Sequence, residues 1–325
     1  MITLLSLLVA CSSPETKETV QVPETAVAVD KAKLAAFQPL PPDFFGEIDE
    51  PRPELIALGN QLFLDPKLSG DGKLSCNSCH DLTTNGADKV AFSLGHNGVP
   101  VGRNSPTVFN AAGHVAQFWD GRAKSVEDQA LGPILAPGEM AAVSGDDVVK
   151  ALKADPSYVT DFSAAFVGEK DPVTFQNVGV AIGAFERTLA KPSRWDKFLS
   201  GDENALTIDE MRGVTTFVDL GCSGCHAGPL LGGGTFMKLG VVSPWPNQKD
   251  QGRFEVTKND ADRMVFKVAS LRYATETAPY FHDASAPDLH TAIKLMGKHQ
   301  LGREVTDAQA HDIEAWLGST SGPVE

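Results

Sequence analysis

Two five-residue stretches decide how this chain folds: Cys76-Asn77-Ser78-Cys79-His80 and Cys222-Ser223-Gly224-Cys225-His226. Both have the form CxxCH, the attachment signature of c-type haem. The spacing has a chemical reason. Two thiols add to the two vinyl groups on one edge of a porphyrin, and the adjacent histidine falls under the iron as its proximal ligand. A four-cysteine zinc site would leave the histidine after each pair without a role. A thioredoxin-like pair expects a βαβ unit, and none is readable around either motif. Two structural disulfides are the remaining alternative. Two CxxCH motifs in one chain favour haem c at both. Covalent haem attachment then places the mature chain outside the cytoplasm.

Working outward, each motif follows an amphipathic segment with Gly-x-x-x-Phe. The first carries Gly59 and Phe63, with Leu55, Leu58 and Leu62 at helical spacing; the second carries Gly213 and Phe217. Thr207 and Asp209 are candidate caps for the second helix. The first half has extra loop residues, DPKLSGDG (Asp65 to Gly72), before its motif. Val178, Ile182, Phe185 and Leu189 form one apolar helical face, and a further helix is expected over Asp307–Leu317, ending at Gly318. No long alternating run of strand residues occurs. The fold class is therefore mainly α, with two cytochrome c-like haem domains related by internal duplication. The expected boundaries are residues 39–191 and 192–325, dividing after Lys191.

The composition agrees. With 325 residues, 42% of them hydrophobic, the chain has apolar material for about two cores. A net charge of -14 and the lack of a Lys/Arg-rich run argue against nucleic acid. The acidic balance suits a basic partner. No stretch reaches the ~20 apolar residues of a spanning helix. The one long apolar run, residues 1–10, ends in Leu8-Val9-Ala10-Cys11, which resembles a bacterial lipoprotein signal. That resemblance implies lipid anchoring through Cys11, and Ser12 favours the outer membrane. Residues 11–38 are rich in Pro, Glu, Thr, Val and Ala and are expected to form a flexible tether.

A haem iron has a sixth position. Methionine there raises the potential, a second histidine lowers it, and an empty position admits substrate. His96, His114, His282, His290, His299 and His311 remain, with Met140, Met211, Met237, Met264 and Met296. Sequence physics alone does not choose among them.

The stretches SLGHNG, GRNSPTVFNAA, QFWDGRAKSVEDQALGPI, PGEM, FKVASLR, TAPYFHD and KLMGKHQLG, in this order from about Pro39 onward, resemble the bacterial dihaem cytochrome c peroxidase family. Tyr273 stands where that family usually has Asn, and Ala284 where Gly is common. The resemblance implies that His80 is the proximal ligand of a low-potential, peroxidatic haem and His96 its displaceable distal ligand. It implies that His226 and Met296 hold a high-potential, electron-accepting haem. Related MauG-type oxidases have Tyr at the Met296 position. Trp119 matches a tryptophan between the haems, and Glu139 a distal-pocket acid that moves protons during peroxide cleavage. Asn104, Thr277 and Pro279 match a calcium site. Arg103, Arg122, Lys267 and Arg272 are candidates for pairing with haem propionates.

The implied activity is reduction of hydrogen peroxide to water with electrons from a small cytochrome c or cupredoxin, in a periplasmic homodimer. The acidic chain leads us to expect a basic donor. The rivals are a MauG-like oxidase of protein side chains, against which Met296 speaks, and a plain electron-transfer cytochrome, against which Glu139 and the His96 loop speak.

Overall fold

The segment before each CxxCH motif is a helix, Pro53–Leu64 in the first half and Ile208–Leu220 in the second. The computed structural model describes residues 29–46 and 52–323; residues 1–10 and Cys11 lie outside them. Pro53 opens the first helix, where its missing N–H needs no partner. Thr207 and Glu210 close a capping box on the second, and Gly221, at φ +95°, ends it in the left-handed region a glycine tolerates.

Each of these helices crosses a later one at its glycine. A Cβ on Gly59 would lie 1.9 Å from the carbonyl oxygen of Ala181, in the Phe175–Arg187 helix. A Cβ on Gly213 would lie 2.0 Å from that of Asp312, in the Asp307–Leu317 helix. One turn on, Phe63 meets Phe185 with ring centroids 5.5 Å apart, and Phe217 meets Trp316 at 4.7 Å. Gly-x-x-x-Phe is thus a close helix crossing followed by an aromatic contact, used in both halves. Such aromatic pairs contribute about 0.5–1.5 kcal/mol beyond burial.

The chain is mainly helical, with one two-stranded antiparallel sheet, Phe236–Lys238 against Val265–Lys267, among the described residues. Leu58, Leu62, Phe63, Ile182 and Phe185 anchor a first core; Trp195, Val214, Phe217, Ile313 and Trp316 anchor a second. The cores divide between Leu189 and Trp195. Trp245, Met264 and Phe266 form a third cluster, against which Trp119, Phe281 and Met296 pack.

Two features differ from the expectation. The end of the 11–38 segment is packed: Phe37 is buried in the second core, 5.5 Å from the ring of Trp195 and 5.9 Å from Trp316. Three scattered apolar residues, Val29, Leu34 and Phe37, carry no period, so the contact is invisible locally. Tyr273, from the second half, is fully buried in the first core, 5.2 Å from Phe109, and its hydroxyl donates to Gly322 O. The two departures from the family pattern now have a shared physical setting. Tyr273 has φ +62° and Ala284 φ +52°, the region that Asn and Gly favour.

Candidate active site

Cys76, Cys79 and His80 open onto a cavity of ≈ 510 Å³ between the two halves. His80 Nδ1 lies 3.0 Å from the carbonyl of Pro106, and His226 Nδ1 lies 3.2 Å from that of Leu231. A backbone carbonyl accepting from Nδ1–H leaves Nε2 as the free, ligating nitrogen. Burial lowers both imidazoles from their ordinary pKa, which keeps them in the neutral form a metal needs. Among the described residues no disulfide joins Cys76, Cys79, Cys222 or Cys225. Burial first, then the negative charge of Glu186, pushes the Cys76 thiol up to about 12. The two pairs belong to different cores, so a zinc site shared by both has no geometric basis. Paired thiols, a neutral histidine and apolar walls that include Phe63, Val108 and Ile182 fit a covalently held haem.

Glu139 lines this cavity. Burial raises its carboxyl above the ordinary range, and Arg122, which lines the same cavity, pulls it partly back. The loop that carries Glu139 is sewn to the loop that carries His96. The His96 amide donates to Glu139 O at 2.7 Å, and a Cβ on Gly95 would lie 1.9 Å from Gly138 O. Gly95 faces the cavity, but the His96 ring does not line it. His96 Nδ1 points instead toward Asp71, 3.5 Å from Oδ2, without forming a hydrogen bond. Asn97 and Gly98 both have positive φ, so the turn after His96 is tightly coiled.

Trp119 joins the two halves. Its ring lines the first cavity and also packs in the third cluster with Met296. Its indole N–H donates to Asn104 O at 2.9 Å, and its own carbonyl accepts from Lys267 N–H at 2.8 Å. Arg103 ties the halves beside it, with a two-point contact to Asp250 (2.6 and 2.8 Å) and a third bond to Asp120 (2.6 Å).

A family model for the di-haem cytochrome c peroxidases matches residues 53–204. Cytochrome c551 peroxidase of Nitrosomonas europaea is 42% identical over 291 residues, 89% of this chain and 86% of that one. The chain belongs to the di-haem cytochrome c peroxidase family. Cytochrome c551 peroxidase of Pseudomonas aeruginosa is also 42% identical, over 91% of this chain and 87% of its own. Among solved structures, a MauG-like protein associated with microbial copper homeostasis superposes with a TM-score of 0.75 at 28% identity, over 87% of this chain and 93% of that one.

Within this family member the remaining candidates separate. Arg272 is not available to a propionate. It is fully buried and holds Asp196 through two bonds of 2.6 and 2.7 Å, with Pro229 O accepting as well. Arg122 is shared between Asp120, at 2.9 Å, and the face of Phe118. Lys267 lines the cavity and reaches His114 Nδ1 at 2.8 Å; burial pushes the ammonium down to about 7. Asn104 donates its amide N–H to His282 O at 2.9 Å, which sets it against the segment carrying Thr277 and Pro279. Its side-chain NH2 is taken by Val90 O, and its side-chain oxygen has no hydrogen-bond partner among the described residues.

Sequence reasoning left His114 unassigned among the remaining histidines and passed over Gln129 and Glu186, which also line the cavity. Glu186 is 4% exposed, and burial, with Glu127 adding to it and Arg187 opposing, pushes its carboxyl up to about 8. A polar residue on the otherwise apolar Val178–Leu189 face was the available signal.

Proposed function

We propose that this chain reduces hydrogen peroxide to water, taking electrons from a small redox protein. The observation that carries the reading is Trp119, one residue shared by the Glu139 cavity and the Met296 cluster. With haem attached at both motifs, the two irons would supply the two electrons that reductive cleavage of the O–O bond requires. His226 and Met296 would hold the electron-accepting group, and His80 the peroxidatic one. Electrons would enter at the second motif and cross by way of Trp119. Glu139 takes a proton from one peroxide oxygen and delivers it to the departing one. Two electrons and two protons convert one peroxide to two waters.

His96 gates this site in our reading. Its ring, turned to Asp71, leaves the cavity open, and the coiled Asn97–Gly98 turn is where it would swing back. Asn104, with carbonyls of Thr277 and Pro279, would bind calcium and stiffen the interface. The matched helix crossings at Gly59 and Gly213 support descent of the halves from one duplicated unit. Cys11 as a lipid anchor, an outer-membrane tether facing the periplasm and a homodimer complete the proposal. Among the described residues no helix is long and apolar enough to cross a membrane.

Relatives named cytochrome c551 peroxidases favour a single-haem cytochrome as donor. Steady-state turnover of hydrogen peroxide by the dihaem-loaded protein with reduced cytochrome c tests the reading. Sustained oxidation of the donor is expected. Near-zero turnover with both haems attached would favour a side-chain oxidase or a plain electron carrier.

A further inference from the structure

We propose that the electron donor docks on a cationic patch with an apolar centre beside the second motif, and that the donor is acidic at its contact face. The proposal rests on the peroxidase reading and reverses the basic donor expected from net charge. Val241 and Val242 are 54% and 58% exposed. They are pinned to the segment that carries Met296. Gln300 Oε1 accepts from the Gly240 N–H at 2.6 Å, and the Val242 N–H donates to His299 O at 3.1 Å. A Cβ on Gly302 would lie 2.9 Å from Val242 Cγ1. An exposed apolar tip held this firmly is a built surface rather than a loose loop.

Its rim is positive. Lys238, Lys298 and Arg303 are exposed, and among the described residues none pairs with a carboxylate. Lys294, by contrast, is neutralised by Asp307 at 2.5 Å. The hollow beside the valines carries Lys294, Lys298 and Arg303 against a single carboxylate, Glu304. The patch also adjoins the redox site. Arg303 donates to the carbonyl of Asp219 at 3.4 Å, in the helix that leads into Cys222. Met296 lies between Lys294 and Lys298 in sequence.

A net charge of -14 steers a basic partner only at long range. Physiological salt screens exposed charges beyond about 8 Å, so residues in contact decide the fit. Three unpaired cations around two valines match a partner with carboxylates around an apolar contact. A second copy of this chain is the poorer occupant, because its matching patch would set the same cations, Lys238, Lys298 and Arg303, against these.

The test uses the full dihaem-loaded chain, with an acidic and a basic single-haem cytochrome c as probes. Calorimetry reads binding directly, and turnover with a small-molecule reductant reads peroxidase competence separately. The acidic probe should bind more tightly, and salt should weaken it. The double substitution Lys298→Glu, Arg303→Glu should weaken its binding about tenfold or more. Turnover with the small reductant, the visible spectrum and the molecular mass should stay unchanged. Tighter binding of the basic probe, or binding indifferent to the double substitution, would overturn the proposal. So would a change in mass on substitution, which would assign the patch to a second copy. Failure with the small reductant alone would sink the peroxidase reading while calorimetry still decides the patch.

Discussion

Replacing Glu139 with Gln should slow the peroxide-limited rate by about 10²–10⁴-fold, or about 3–5 kcal/mol of barrier. The substitution keeps the size of the side chain and one carbonyl oxygen. It leaves the backbone anchors untouched: Glu139 N–H to Ala136 O at 2.9 Å, and His96 N–H to Glu139 O at 2.7 Å. The loss then reports proton exchange rather than a displaced loop. The pH dependence has a definite sign. Burial raises the carboxyl, and only the ionised form accepts a proton from peroxide. The rate at limiting peroxide should therefore climb as pH rises through the raised pKa, with its acid limb above the ordinary glutamate value of about 4.3. Arg122 opposes the rise, so Arg122→Gln should move that limb to still higher pH. The assay is peroxide consumption at limiting concentration across pH, with a small reductant that bypasses donor docking. A Glu139→Gln protein with near-normal rate and an intact acid limb would refute the assignment. An Arg122→Gln limb displaced to lower pH would refute the electrostatics.

Two stability changes and one metal-dependence test are expected as well. Arg272→Met strands the buried Asp196 carboxylate and should cost about 3–5 kcal/mol, read as a lower unfolding midpoint with unchanged haem spectra. Ala284→Gly relieves a left-handed backbone at φ +52° and should raise the unfolding midpoint, by a net of about 0.5–1 kcal/mol once the glycine's extra chain entropy is subtracted. Prolonged chelation should reduce turnover while both haems stay attached; insensitivity, with no metal found by elemental analysis, would remove calcium from the account.

What was legible in the sequence is what is local. CxxCH names its chemistry within five residues. The helices over Pro53–Leu64 and Asp307–Leu317 announce themselves by period and by the glycine at their ends or crossings. What was hidden joins residues far apart in the chain. Phe37 reaches the second core, and Tyr273 fills the first. Arg272 had the look of a surface cation in FKVASLR, but Asp196 lies more than seventy residues away in the chain, and the bond between them is what buries it. The Lys238, Lys298 and Arg303 rim was masked by the net charge, because a sum over the chain carries no position.

The most direct test of the central claim is stoichiometric. Full-length protein carrying two haems, confirmed by mass, is mixed with a known amount of hydrogen peroxide and an excess of reduced single-haem cytochrome c. Two cytochromes should be oxidised for each peroxide consumed, without release of dioxygen, and Trp119→Phe should slow the oxidation without changing the ratio. Peroxide loss with dioxygen release, or no cytochrome oxidation above the uncatalysed rate, would contradict the account.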